Sequence, residues 1–228
     1  MLTSRGPDDS PDLIATFRQG LKDSGFTEGQ NVIVESRFAA NQYEQLPSLA
    51  ADLVRRQATV IVAATTPAAL VAKNATAAIP VVHTTAGDPV QLGLVASLSR
   101  PGGNVTGFPI LGVEVEAKRL ELLHTLVPGV NVMALLVNPA NAGLAAATTS
   151  AMNRAAHTLG LALHVVSAKT KHDFEDVFAN LGQMRVGGLV IIADPFFTTW
   201  EKELAELTLR SRCRQFTKTA SLWRPAGS

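Results

Sequence analysis

Gly187-Gly188-Leu189-Val190-Ile191-Ile192-Ala193-Asp194-Pro195 is an apolar run without alternation that ends on a capping residue and a proline. A strand with one wet face alternates apolar and polar side chains, so an unbroken run belongs to a strand covered on both faces, as in parallel sheets with crossover helices. Val60-Ile61-Val62-Ala63 has the same character. Outward from these two runs, β-rich segments recur at 31–38, 59–64, 79–84, 104–108, 131–137, 161–167 and 187–193. Between them, helical patterns occupy 11–24, 43–57, 67–77, 89–98, 113–126, 143–159, 171–184 and 199–209. Strand and helix in strict alternation define an α/β chain with right-handed crossovers.

Apolar stripes at helical spacing mark the expected core faces. They are Leu13, Ile14, Phe17 and Leu21, then Leu46, Leu49, Leu53 and Val54, then Leu120, Leu123, Leu126 and Val127. The turn Arg100-Pro101-Gly102-Gly103-Asn104 and the crossover Pro109-Ile110-Leu111-Gly112 suggest two α/β lobes, 1–110 and 111–210. Two such lobes would place a cleft between them. Residues 211–228 fit neither period and are expected to form an aberrant, unstructured tail.

Composition narrows the function. The 228 residues are 46% hydrophobic, enough for a buried core and against a disordered chain. A net charge of +1 gives no electrostatic footprint for nucleic acid. Cys213 is the single cysteine, which excludes an internal disulfide framework and a cysteine-based metal cluster. The longest apolar stretch, 186–193, is far shorter than the roughly 20 residues that span a bilayer. The N-terminus has no basic segment followed by an apolar one and reads as a loop, so no secretory signal is read and the chain as given is expected to be cytoplasmic.

In open α/β sheets, ligands bind beyond the carboxyl ends of the strands. Four strand ends here carry a capping residue followed by proline: Thr66-Pro67, Asp88-Pro89, Asn138-Pro139 and Asp194-Pro195. Each pair alone reads as helix initiation. Together they also read as a polar crescent. Thr65 and Thr66, with Thr84, Thr85 and Asp88, place paired hydroxyls beside helix N-termini, a neutral cradle for a carboxylate. Neither loop contains lysine or arginine, which favours reversible capture over chemistry. Phe196 and Phe197 read either as a wall stacking on an apolar ligand, with Asp194 facing an ammonium group, or as packed surface. His83, at a strand end, is the histidine placed to meet a ligand. The nucleotide-phosphate, dinucleotide, zinc-protease, serine-hydrolase and C-x-x-C motifs are absent, so no enzyme, cofactor or metal is expected.

These pieces form an ordered set. FRQGLKDSGFTEGQNV at 17–32, LVRRQ at 53–57, GDPVQLGLV at 87–95, RPGGNVTG at 100–107, KRLELL at 118–123 and ADPFF at 193–197 resemble the bacterial ABC transporter substrate-binding proteins of the tryptophan/tyrosine-binding (TrpX-like) type. The resemblance runs from about residue 3 to about residue 210. It implies a type I periplasmic-binding-protein fold, closure on a small amino-acid-like ligand, an ABC permease as partner and a periplasmic or cell-surface location. Carried over by position, the ligand-binding residues are Thr65, Thr66, Thr84, Thr85 and Asp88 in lobe one, and Asn138, Asp194 and Phe196 in lobe two.

The same resemblance implies truncation at both ends, with the first, central strand of lobe one missing. The tail reads as a frameshift, because codons for 213–227 can be chosen that encode a relative-like sequence in a neighbouring frame. The leading reading is a solute-binding component or a truncated, non-functional remnant of one. Alternatives are a ligand-sensing regulatory domain of the same fold and an unrecognised α/β enzyme.

Overall fold

A computed structural model describes residues 1–9, 11–110, 112–211 and 214–216. The chain forms two compact units, Met1–Ile110 and Leu111–Ser228. In the first, β1 (Leu2–Thr3), α1 (Pro11–Asp23), β2 (Arg37–Phe38), a 3-10 turn (Tyr43–Gln45), α2 (Leu46–Arg55), β3 (Ile61–Ala63), α3 (Thr66–Ala75), β4 (Val81–Thr85) and β5 (Val105–Pro109) follow in order. The five strands are parallel in the order β2-β1-β3-β4-β5.

The second unit contains α4 (Gly112–Leu126), β6 (Val132–Val137), α5 (Ala142–Leu159), β7 (Ala162–Ser167), α6 (Asp173–Gln183), β8 (Gly188–Ile191), α7 (Pro195–Thr199), α8 (Glu201–Arg210) and β9 (Arg214–Phe216). Its sheet is parallel in the order β7-β6-β8-β9.

Burial follows the apolar runs. Every residue of β8 and all but the first of β6 are buried, as the lack of alternation requires. In the first unit Leu2, Ile61, Ala63, Val81 and Val105 pack with Leu46, Ala50 and Leu53 of α2 and Ala68, Ala69 and Ala72 of α3.

The structure corrects several expectations. A central strand is present: Leu2 is fully buried and β1 lies between β2 and β3. Two residues carry no period, so the sequence reads them as loop. Of 31–38 only Arg37–Phe38 joins the sheet, opposite Leu2 and Thr3 of β1, while Val32 makes an isolated bridge to Glu28 and Ile33 is 84% exposed.

Residues 89–98 form turns rather than a helix. The Leu92 and Leu94 amides donate to Asp88 and Pro89 carbonyls, a single helical turn that Gly93 ends at φ +69°. Leu94 and Val95 then bend into the core.

The α1 stripe is not core. Leu13 is 46% exposed, while Ile14, Phe17 and Leu21 are half-buried. The chain steps one way from β1 to β2 and the other way from β2 to β3 and β3 to β4, so right-handed crossovers put α1 on the face opposite α2 and α3. The 211–228 segment contains β9, whose Arg214–Phe216 runs parallel to Gly188–Val190, whereas 212, 213 and 217–228 lie outside the described residues.

Candidate functional site

In the first unit the parallel register carries past the strand ends. Leu2 pairs with Ala63 and Ala63 with His83, so Ser4, Thr65 and Thr85 continue one row on the α2 and α3 side of the sheet. The Ser4 amide donates to Thr65 Oγ1 at 3.3 Å. Thr65 is the N-cap of α3, yet its hydroxyl makes no capping bond to that helix. Thr66 Oγ1 accepts from the Ala86 amide at 3.2 Å, tying α3 to the loop after β4. Thr85 Oγ1 donates to Gly87 O at 3.3 Å and lies 3.4 Å from His83 Nδ1. Thr65, Thr66 and Thr85 are buried, and Thr84, of opposite parity, is exposed. Half-buried Asp88 is a turn former, with Oδ1 accepting from the Val90 amide at 2.8 Å. The structure therefore gathers Thr65, Thr66 and Thr85 around the start of α3, turns Thr84 to the other face of β4 and leaves Asp88 to its own turn.

His83 is only 1% exposed, and burial pushes its imidazole below the ordinary histidine range. Its native form is neutral. The unfolded chain takes up the proton below about pH 6.5, so this stabilising contribution is complete above that value and is lost as the pH falls from there through the lower native pKa. Titrating stability from pH 7 to 5 should give a steeper acid loss in the wild type than in His83→Asn. Parallel profiles would refute the assignment.

In the second unit Asp194, at the end of β8, is fully buried and accepts three bonds. Oδ1 takes Asn138 Nδ2 at 2.9 Å and the Phe196 amide at 3.0 Å, and Oδ2 takes Asn141 Nδ2 at 2.9 Å. Asn138 Oδ1 in turn accepts from the Ala140 amide at 3.0 Å. The ends of β6 and β8 and the start of α5 are thus joined through one carboxyl group. Both Asp194 oxygens are already engaged, so in this arrangement it organises the loops and does not present a free oxygen to an ammonium group.

Phe196 is buried, its ring 5.6 Å from Phe174 and 5.4 Å from Phe197, centroid to centroid. Among the described residues it packs in an aromatic cluster, the packing alternative of the sequence reading. Sequence reasoning missed Ser4 and Asn141. A second asparagine three places after Asn138 is a helix-start signal for Asn141, whereas Ser4 emerges only from the register.

Elsewhere, a cavity of about 340 Å³ in the first unit is lined by Lys73, Leu94, Pro101 and Asn104 among others, and by none of the expected ligand residues. Among the described residues no group of histidine, cysteine, aspartate or glutamate side chains is placed to hold a metal ion. No described helix is long and apolar enough to cross a membrane.

Parallel α/β units of this kind recur in solved structures, which share the fold. A conserved domain protein from Vibrio cholerae is 23% identical with a TM-score of 0.86, covering 97% of this chain and 73% of that one. An ABC domain from Streptococcus pneumoniae is 18% identical with a TM-score of 0.83, covering 97% and 74%. The sequence model of the family described as ABC transporter substrate binding protein matches residues 8–202, and the chain belongs to that family. A tyrosine-binding protein from Clostridioides difficile is 37% identical over 123 residues, which span 54% of this chain and 35% of that protein.

Proposed function

We propose that this protein captures a small carboxylate-bearing solute of the amino-acid class and passes it, outside the cytoplasmic membrane, to an ABC permease, without catalysis. The observation that carries the reading is the uncapped start of α3, flanked by Thr65, Thr66 and Thr85 with no lysine or arginine in 64–66 or 83–88, and exposed Thr84 lies one residue away along β4. Amide N–H groups and hydroxyls hold a single negative charge reversibly through the helix dipole.

Asp88 shapes the adjoining loop. Asn138 and Asp194 set the rim of the second unit, and Phe196 anchors it from below. The relatives support the ligand class: one is a tyrosine-binding protein and another was solved in complex with L-Trp.

Isothermal titration with L-tyrosine, L-tryptophan, L-phenylalanine and L-leucine tests it. Saturable one-to-one binding of at least one is expected, and ligand at one hundred times Kd should add about 2.7 kcal/mol of stability. Absence of binding, or turnover of the bound compound, would overturn the reading.

A further inference from the structure

We infer that Ser4 is a ligand-binding residue, its hydroxyl acting with the N-terminus of α3 to hold the carboxylate of an amino acid. The inference rests on the function just proposed and adds a residue outside the sequence motifs.

Ser4 is fully buried, and its Oγ has no hydrogen-bond partner. The rest of the residue is engaged: its amide donates to Thr65 Oγ1 at 3.3 Å and its carbonyl accepts from the Asn41 amide at 2.7 Å. The other two hydroxyls of the row are also engaged, Thr65 by Ser4 and Thr85 by Gly87. Ser4 Oγ is therefore the hydroxyl of the row that makes no hydrogen bond, whereas Thr65 Oγ1 already accepts one and Thr85 Oγ1 already donates one. A buried hydroxyl without a partner weakens the native state, and such groups in folded proteins call for a reason such as a missing ion, water or ligand.

The second observation is independent. α3 has ten residues and no side chain caps its N-terminus. Thr65 turns its hydroxyl to the Ser4 amide and Thr66 turns its own to the Ala86 amide, which leaves the positive end of the helix dipole open. Covalent geometry keeps a serine hydroxyl beside its own amide, and that amide touches the N-cap residue of α3. A hydroxyl without a partner and the uncapped Thr66 and Ala68 amides of the first turn thus flank the same N-cap residue, Pro67 between them having no N–H. Two donor types converging on a helix start suit the two oxygens of a carboxylate, with Ser4 supplying one bond and α3 the other.

The test compares wild type with Ser4→Ala. Both are titrated with L-tyrosine, L-tryptophan and L-tyrosinamide, and both are melted without ligand. The wild type should prefer L-tyrosine to its amide, and Ser4→Ala should lose at least tenfold in affinity for both acids while that preference shrinks. The unliganded variant should melt no lower than wild type, because an unpartnered buried polar group has been removed.

Equal affinity of variant and wild type for the acids would overturn the role of Ser4 and leave the proposed function standing. A lower melt of the unliganded variant would show that the hydroxyl already has a structural partner and would overturn it too. A wild-type chain that binds none of these compounds sinks both readings.

Discussion

Gly107→Ala should unfold the first unit under conditions where the wild type is folded. Gly107 is the partner of His83 in the β4–β5 ladder, and a Cβ built on it falls 2.1 Å from His83 O, 2.7 Å from His83 N and 2.8 Å from His83 C. These are backbone atoms, so no change of rotamer relieves the overlap. The strand must move instead. Among the described residues β5 is an edge strand that pairs with β4, over the five pairs from Val81 with Val105 to Thr85 with Pro109.

Overpacking typically costs about 1–3 kcal/mol where side chains can shift. Separation of a backbone ladder places this variant at or above the upper end, a large part of the ~5–15 kcal/mol that holds a domain folded. Gly103→Ala is the control, because a Cβ there meets nothing within 4 Å. Denaturant melts followed by circular dichroism should show a strongly lowered midpoint or a lost transition for Gly107→Ala and little change for Gly103→Ala. Coincident curves would show that β5 yields without cost. Loss of ladder order should also displace Thr84 and Thr85 and abolish ligand binding.

What could be read from the sequence divides along physical lines. Residues of β6 and β8 are legible because a strand buried on both faces must be apolar throughout, and nothing but its neighbours in sequence is needed to see that. The helix start at Asp194-Pro195 is legible because capping is local chemistry and Asp194 caps as read, whereas at Thr66-Pro67 a helix begins but Thr66 is its first residue and caps nothing. β1 and β2 are two residues each, too short to display any period. The 89–98 segment has helical spacing, but Gly93 and the Asp88 turn outweigh the pattern and send Leu94 inward. That α1 lies on the face opposite α2 and α3 follows from the direction in which the chain steps across the sheet, which no apolar stripe encodes.

The candidate site was legible as a set of strand ends and not as a set of bonds. That Thr65 serves Ser4 and Thr66 serves Ala86 depends on register between strands distant in sequence. Likewise Asp194 was readable as a cap, while its partners Asn138 and Asn141 stand 56 and 53 positions away.

Asp194→Ala separates the two roles open to that residue. If it is the scaffold that its bonds describe, its removal leaves the side-chain amides of Asn138 and Asn141 buried without their acceptor and the Phe196 amide uncapped. A buried donor stripped of its partner costs about 1–3 kcal/mol, and loss of an N-cap about 1 kcal/mol. These contributions share one group and will not add fully, so a destabilisation of about 3–5 kcal/mol is expected in the second unit. Asp194→Asn keeps the shape but replaces one acceptor oxygen by an NH2 group, which then faces another donor. Its loss should be intermediate, with Asn138 or Asn141 forced to turn away.

If instead Asp194 faced a ligand ammonium, alanine would spare the melt and lower affinity alone. Thermal unfolding of the three forms without ligand decides between these outcomes, because the ammonium role has no readout there. A melt of Asp194→Ala equal to wild type would dismantle the scaffold and restore the ligand-facing carboxylate that the sequence first suggested.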